Sequence, residues 1–118
     1  MAINRLFIAN RGEIAVRIIR AAKALGIETV LGASRADAES LAAELADRTV
    51  IVGPAEPQRS YLNERLIVQA ALGSGCDGLH PGYGFLSERP ALARLCEENN
   101  IAFVGPRPET IEALGDKL

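Results

Sequence analysis

Residues 6–26 decide the fold: Leu6-Phe7-Ile8-Ala9, then Asn10-Arg11-Gly12, then Glu13-Ile14-Ala15-Val16-Arg17-Ile18-Ile19-Arg20-Ala21-Ala22-Lys23-Ala24-Leu25, then Gly26. The first four are an unbroken apolar run, the mark of a strand buried on both faces rather than one with a wet side. From Glu13 to Leu25 apolar residues recur at Ile14, Ile18, Ala21 and Leu25, which is helical spacing, leaving Arg17, Arg20 and Lys23 on other faces. Glu13 in the first turn, Lys23 in the last and Gly26 beyond it suit the dipole and the C-terminus of that helix. A strand feeding directly into a helix is half of a βαβ unit.

The same unit recurs along the chain. Apolar runs at Leu6–Ala9, Thr29–Leu31, Thr49–Val52, Asp77–His80 and Ile101–Val104, counted from Arg5, Glu28, Thr49, Asp77 and Ile101, repeat at intervals of 21–28 residues, the length of a strand, a helix and two short loops. The helices between them are expected over Glu13–Leu25, over Ala38–Ala46, and from an Asn63 N-cap to Gly73. In that third helix Leu62 and Ile67 have the spacing of a hydrophobic staple. A fourth is capped by Ser87 with Pro90 in its first turn, and a fifth is opened by Pro108 and closed by Gly115. No self-similarity accompanies the spacing, so a wound sheet is expected and not a solenoid. The expectation is an α/β fold: a Rossmann-like, doubly wound sheet of about five mainly parallel strands with helices on both faces, forming one domain over residues 1–118.

Composition narrows the function. The chain is 48% hydrophobic and 24% charged, with 13 basic against 15 acidic residues. That balance offers no clustered positive surface for nucleic acid or an anionic membrane. Aromatics at 4% and the lack of Trp argue against base stacking. No apolar run approaches a membrane span, and the N-terminal residues lack the pattern of a signal peptide. Cys76 and Cys96 are too few for a disulfide framework and are read as reduced thiols of a cytoplasmic protein, Cys96 as core filler. One His and two scattered Cys make no zinc site.

Ligands of open parallel sheets bind beyond the carboxyl ends of the strands, which singles out four loops. Asn10-Arg11-Gly12-Glu13 lacks the GxGxxG of a dinucleotide fold, and the acidic residues of a receiver domain are absent from the strand ends. It is either a tight turn with a capping Glu or a functional turn. Ser34-Arg35-Ala36-Asp37 and Gly105-Pro106-Arg107-Pro108 follow two other strands. His80-Pro81-Gly82-Tyr83-Gly84-Phe85-Leu86-Ser87-Glu88 is the least ordinary: glycines allow close backbone approach, and Tyr83 and Phe85 can line a small-molecule pocket. His80 is either a proton carrier or a hydrogen-bonded brace for the loop.

These blocks, together with Ser60-Tyr61-Leu62-Asn63, Phe103-Val104-Gly105-Pro106 and Gly115-Asp116-Lys117 in the same order, carry a resemblance. Over essentially all its length the chain resembles the N-terminal domain of biotin carboxylase, shared by acetyl-CoA, propionyl-CoA, methylcrotonyl-CoA and pyruvate carboxylases. The resemblance implies an ATP-grasp ligase: ATP, with Mg2+, and bicarbonate give carboxyphosphate, and the carboxyl passes to biotin on a carrier protein. It implies that Tyr83 and Gly84 lie beside biotin and that Lys117 contacts the nucleotide. His80, Gly82, Phe85 and Glu88 would support the loop, while Arg17 and Arg20 would sit at a homodimer contact. The expected partners are a biotin carboxyl carrier and a carboxyltransferase. The family's magnesium-binding glutamates and glycine-rich lid have no counterpart in these residues, so the chain is expected to be a domain cut from a longer enzyme, with no catalytic or metal-binding residue and no activity of its own. Residues 32–47 depart from the family pattern, reading Ala33-Ser34-Arg35-Ala36-Asp37 and Ala46-Asp47-Arg48.

Two other readings predict different surroundings. A non-catalytic Rossmann-like interaction module would not continue into an ATP-grasp segment. The leading domain of a carbamoyl-phosphate or purine-pathway synthetase would share the architecture but not the HPGYGFLSE block.

Overall fold

A computed structural model describes residues 3–82 and 89–105. Five strands, β1 (Arg5–Ile8), β2 (Glu28–Ala33), β3 (Arg48–Ile51), β4 (Gly78–His80) and β5 (Ala102–Phe103), form one sheet in the order β3-β2-β1-β4-β5. Every neighbouring pair is parallel, with Phe7 opposite Val30 and Leu79 in the centre. Four helices connect them: α1 (Gly12–Ala24), α2 (Leu41–Leu45), α3 (Glu64–Gly73) and α4 (Pro90–Glu98). The parallel α/β sheet expected from the repeat is therefore present.

Alternation along β1 divides the core in two. Phe7 and Ala9 point to one face, where Ile67, Val68 and Ala71 of α3 and Leu92 and Cys96 of α4 cover them. Leu6 and Ile8 point to the other, under Ala15, Val16, Ile19 and Ala22 of α1 and Ala42 of α2. Cys96 is fully buried among these side chains, which pushes its thiol up to about 12 and leaves it packing rather than reacting.

The helix ends follow from local chemistry. In α1 the N–H of Gly26, at φ +74°, bonds the carbonyl of Lys23, and that of Ile27 bonds the carbonyl of Ala22. This Schellman closure turns the chain straight into β2. The same pairing ends α3 and α4, with Gly75 and Asn100 in Gly26's place. Asn63 caps α3 through its side chain, accepting from the N–H of Leu66 at 3.2 Å.

Four local expectations are corrected. The buried stripe of α1 is Ala15, Val16, Ile19 and Ala22; Leu25 is 76% exposed, and Ile14 and Ile18 are only half-buried. The helix has two apolar stripes, and the periodicity picked the outer one. The second helix is not Ala38–Ala46: a short 3-10 turn occupies Arg35–Asp37, and α2 begins only after Ser40, whose hydroxyl accepts from Ala43 N–H. Small polar side chains that bond nearby backbone favour such turns over a continuous helix. β2 runs on to Ala33 because small residues at Gly32 and Ala33 still pair with β3. The N-cap of α4 is Arg89, with Pro90 at its first position, and not Ser87. Ser87 and the fifth helix expected from Pro108 to Gly115 lie outside the described residues.

Candidate functional site

The strand order places a switch between β1 and β4. The chain leaves β1 toward β2 and β3, then crosses back to pair β4 on the other side of β1. At such a point the loops after the two central strands diverge and leave a crevice, the usual ligand position of open α/β sheets. Asn10 and Arg11 follow β1 there, and Pro81 and Gly82 follow β4.

The two loops are joined. Ala9 N–H donates to the carbonyl of His80 at 3.0 Å, extending the ladder by one bond. Asn10, 2% exposed, donates from Nδ2 to the carbonyl of Pro81 at 2.7 Å and accepts at Oδ1 from Arg11 N–H at 2.8 Å. Gly82 stands at φ +71°, and a Cβ there would come within 2.7 Å of Asn10 Nδ2 and 2.8 Å of Ile14 Cγ2. Only glycine fits both the conformation and the space. His80 Nδ1 accepts the N–H of Gly82 at 3.0 Å, which leaves its ring proton on Nε2. Burial lowers the His80 pKa, so the imidazole is neutral near pH 7.

A second cluster ties these loops to the ends of β2 and β3. Asp37, 9% exposed, receives the Tyr61 hydroxyl at 2.6 Å and the Ser34 hydroxyl at 3.1 Å on Oδ2, and Arg11 at 2.9 Å on Oδ1. The Tyr61 oxygen accepts in turn from Ser34 N–H at 3.1 Å. Burial alone would raise the Asp37 pKa, but hydrogen bonds from Tyr61, Arg11 and Ser34 outweigh it and hold the carboxyl below its usual 3.8. Tyr61 responds the other way: burial, then the bond to Asp37, pushes its phenol up to about 12. The result is a hydrogen-bonded chain across the carboxyl edge of the sheet, from Tyr61 through Asp37, Arg11 and Asn10 to Pro81. Sequence reading missed Asp37 and Tyr61 as partners because they are separated by 24 residues. The one available signal was Ser34-x-x-Asp37, a capping pattern around a turn.

Of the site residues named from sequence, the structure brings together His80 and Gly82. Tyr83, Gly84, Phe85, Glu88 and Lys117 lie outside the described residues. Arg17 and Arg20 are exposed on α1; Arg17 pairs loosely with Glu13 at 3.5 Å and borders the same cavity as His80, Pro81 and Gly82. Among the described residues no three His, Cys, Asp or Glu side chains gather to hold a metal ion, and no helix is long and apolar enough to cross a membrane.

Five parallel strands, helices on both faces and a braced switch point define a Rossmann-like, doubly wound α/β domain. The family model "Biotin carboxylase, N-terminal domain" matches residues 2–111. The chain belongs to that family. It is 52% identical over 115 residues to biotin carboxylase 1 of Bacillus subtilis, covering 98% of this chain and 26% of that protein. To the mitochondrial methylcrotonoyl-CoA carboxylase subunit alpha of Glycine max it is 50% identical, covering 98% of this chain and 16% of that one. Among solved structures, the biotin carboxylase domain of a thermophilic 2-oxoglutarate carboxylase bound to bicarbonate superposes with a TM-score of 0.94 at 44% identity, over 99% of this chain and 26% of that chain. The biotin carboxylase domain of the Hydrogenobacter thermophilus 2-oxoglutarate carboxylase, solved as a dimer with MgADP, ADP and bicarbonate, gives 0.89 at 44% identity, over 95% and 24% of the two chains. The chain thus spans about a quarter of the length of the biotin carboxylases it matches.

Proposed function

We propose that this chain is the leading domain of a longer biotin carboxylase, a ligase that uses ATP and bicarbonate to carboxylate biotin on a carrier protein. The observation that carries this reading is the family match across nearly the whole chain, to relatives several times its length. The domain's part is positional. Asn10, Gly82 and His80 fix the main chain where it leaves β4, and Tyr83 and Gly84, next in sequence, are the biotin-proximal pair, with Phe85 and Glu88 supporting the loop. Lys117 is the nucleotide contact, and Arg17 and Arg20 are the homodimer contact.

Bound ATP with Mg2+ supplies the phosphoryl group that activates bicarbonate. Phosphoryl transfer is stabilised by metal ions and positioned cations. In this reading the metal and its ligands belong to the rest of the longer enzyme, and this domain orients substrate. The carrier and a carboxyltransferase are the partners of the longer enzyme, in the cytoplasm.

The test compares two proteins. The polypeptide whose reading frame runs on from Leu118 should release ADP from ATP only when bicarbonate and free biotin are both present. Residues 1–118 alone should release none. A frame that closes without an ATP-grasp segment, or biotin-dependent ADP release by 1–118 that is lost in Lys117→Ala, overturns the proposal.

A further inference from the structure

β4 ends at His80, and Pro81 and Gly82 follow it in a turn closed by the imidazole. The N–H of Gly82 donates to His80 Nδ1 at 3.0 Å across Pro81, whose ring fixes its own φ. This is the turn in which an Asn or Asp side chain accepts the N–H two residues on, built here with a histidine. Asn10 supplies the other holds on the same residues. Its Nδ2 bonds the Pro81 carbonyl at 2.7 Å, and its side chain fills the space where a Cβ of residue 82 would stand. The two holds differ in chemistry. An amide keeps its donor and its acceptor at every pH, whereas Nδ1 accepts only while it is bare. A proton there sets a donor against a donor, and the bond to Gly82 is lost.

We propose that His80 is a proton-operated catch: protonation at Nδ1 releases the Gly82 N–H and loosens the chain where it leaves β4, while Asn10 keeps its hold on Pro81. The surroundings set the direction of the response. Half-buried His80 is paired with Ile8 of β1, and it shares a cavity with Ile14 and Arg17 of α1 and with Val104 and Gly105 after β5. Arg17 is the charged side chain bordering that cavity, and Glu13 pairs with it at 3.5 Å. Just ahead of β4, Asp77 is taken up by the N–H groups of Asn4 and Arg5. Among the described residues no carboxylate bonds the ring, so nothing offsets the cost of charging it where it is partly shielded from water. The catch therefore holds at neutral pH and opens in mild acid. Resting on the reading that Tyr83 and Gly84 are the biotin-proximal pair, acid loosens the residues that lead into that pair. The use of biotin then weakens before the use of ATP.

Two measurements keep the catch and that reading apart. The first is an NMR titration of the whole 118-residue chain from about pH 8 to about pH 5. The His80 ring and the Gly82 amide should titrate together, with a midpoint below the ordinary 6.5 of histidine. Across that step the exchange protection of Gly82 should fall about tenfold, while the amides of Ile8 and Leu31 in the central strands stay protected. His80→Asn places Oδ1 where Nδ1 stood and does not titrate, so Gly82 should stay protected and the step should vanish. His80→Leu has no acceptor and should leave Gly82 unprotected throughout. A Gly82 amide that ignores the titration of the ring, or a step that survives in His80→Asn, overturns the proposal. The second measurement follows ADP release by the polypeptide that runs on from Leu118. Its KM for free biotin should rise severalfold over the same pH range with KM for ATP unchanged, and His80→Asn should remove the rise. A rise that persists in His80→Asn overturns the role given to the catch. Failure of any biotin-dependent ADP release strikes the biotin reading instead, and the titration of the turn is then judged by the first measurement.

Discussion

Two arginine–carboxylate pairs sit at opposite ends of the same sheet, each at 2.9 Å: Arg5 with Glu28 at the amino end, and Arg11 with Asp37 at the carboxyl end. By distance they are the same interaction. They differ in what surrounds the acid. The Glu28 side chain is 40% exposed, whereas that of Asp37 is 11% exposed and takes two further hydroxyl donors. Water competes for the first pair and screens it, while the second has replaced water with protein donors. The amino end is otherwise held by carboxylates gripping backbone: Asp77 accepts from Asn4 and Arg5 N–H, and Asp47 from Thr29 N–H and hydroxyl. Those bonds fasten chain to chain in register. The carboxyl end fastens loops to one another, which is what a ligand crevice at a switch point requires.

The comparison predicts its largest effect at Asp37. Asp37→Ala leaves the buried Tyr61 hydroxyl and Ser34 hydroxyl without their acceptor. Losing partners for buried polar groups costs about 1–3 kcal/mol each, moderated here because the half-exposed Arg11 regains water. A loss of about 2–3 kcal/mol in denaturant unfolding is expected. Tyr61→Phe keeps the ring packing but removes both the donor to Asp37 and the acceptor of the buried Ser34 N–H, and should lose about 1–2 kcal/mol. A loss below about 0.5 kcal/mol for Asp37→Ala would show that burial adds nothing to the pair.

Gly82→Ala comes next, at about 1–3 kcal/mol for a strained left-handed residue with a blocked Cβ. Asn10 cannot swing aside cheaply, because both ends of its amide are bonded. The damage should concentrate at the β1 and β4 loops. Hydrogen exchange should quicken at Arg11 and Gly82 and stay slow at Thr29 on the amino end. Equal quickening at both ends would mean that the two edges are not separate units.

How legible these edges were differs for physical reasons. The sheet was readable because βαβ units repeat locally: each strand's apolar run and each helix's cap is written within a few residues of where it acts. Gly82 was readable too, since two glycines within four residues signal a constrained backbone. The Asp37 cluster was not, because its members meet only after three strands have paired. α1 shows the intermediate case. Its helical period was plain, yet a helix apolar on two sides cannot announce which side meets the sheet. The short turn at Arg35–Asp37 likewise depends on side chains that the periodicity of 38–46 ignores.

Acidification separates the edges with a smaller effect. Burial holds the His80 imidazole below its usual 6.5, so the unfolded chain takes up a proton before the folded one does. Stability from this group is complete above about pH 6.5 and is lost progressively as pH falls below it. The carboxylates of Asp37, Asp47 and Asp77 are held below 3.8, so their losses begin only in stronger acid. The melting temperature should therefore decline between about pH 7 and pH 5, and His80→Gln should flatten that decline. His80 is the chain's single histidine, which makes the assignment clean. An unchanged slope in His80→Gln would show that its protonation does not bear on folding.

The smallest effect is expected at the other end of the comparison, in Glu28→Gln. The amide oxygen of Gln can still accept from Arg5 Nε, so the variant removes the charge and keeps the shape. Exposed pairs of this kind contribute about 0–1 kcal/mol, and the Arg5 side chain, itself 33% exposed, also donates to the Ser74 carbonyl at 2.9 Å. Arg5 therefore stays anchored, and a loss of about 0.3 kcal/mol or less is expected at low salt. At about 1 M salt the screening length shrinks to roughly 3 Å and even this difference should vanish. Asp37→Asn makes the matched substitution in the buried pair and should behave otherwise. One oxygen becomes an NH2 facing hydroxyl or guanidinium donors, an arrangement that salt cannot relieve. If Glu28→Gln and Asp37→Asn lose the same stability, and lose it in parallel as salt rises, then distance alone sets the strength of both pairs. A large, salt-insensitive gap between them would instead assign the difference to burial and to the hydroxyls of Tyr61 and Ser34.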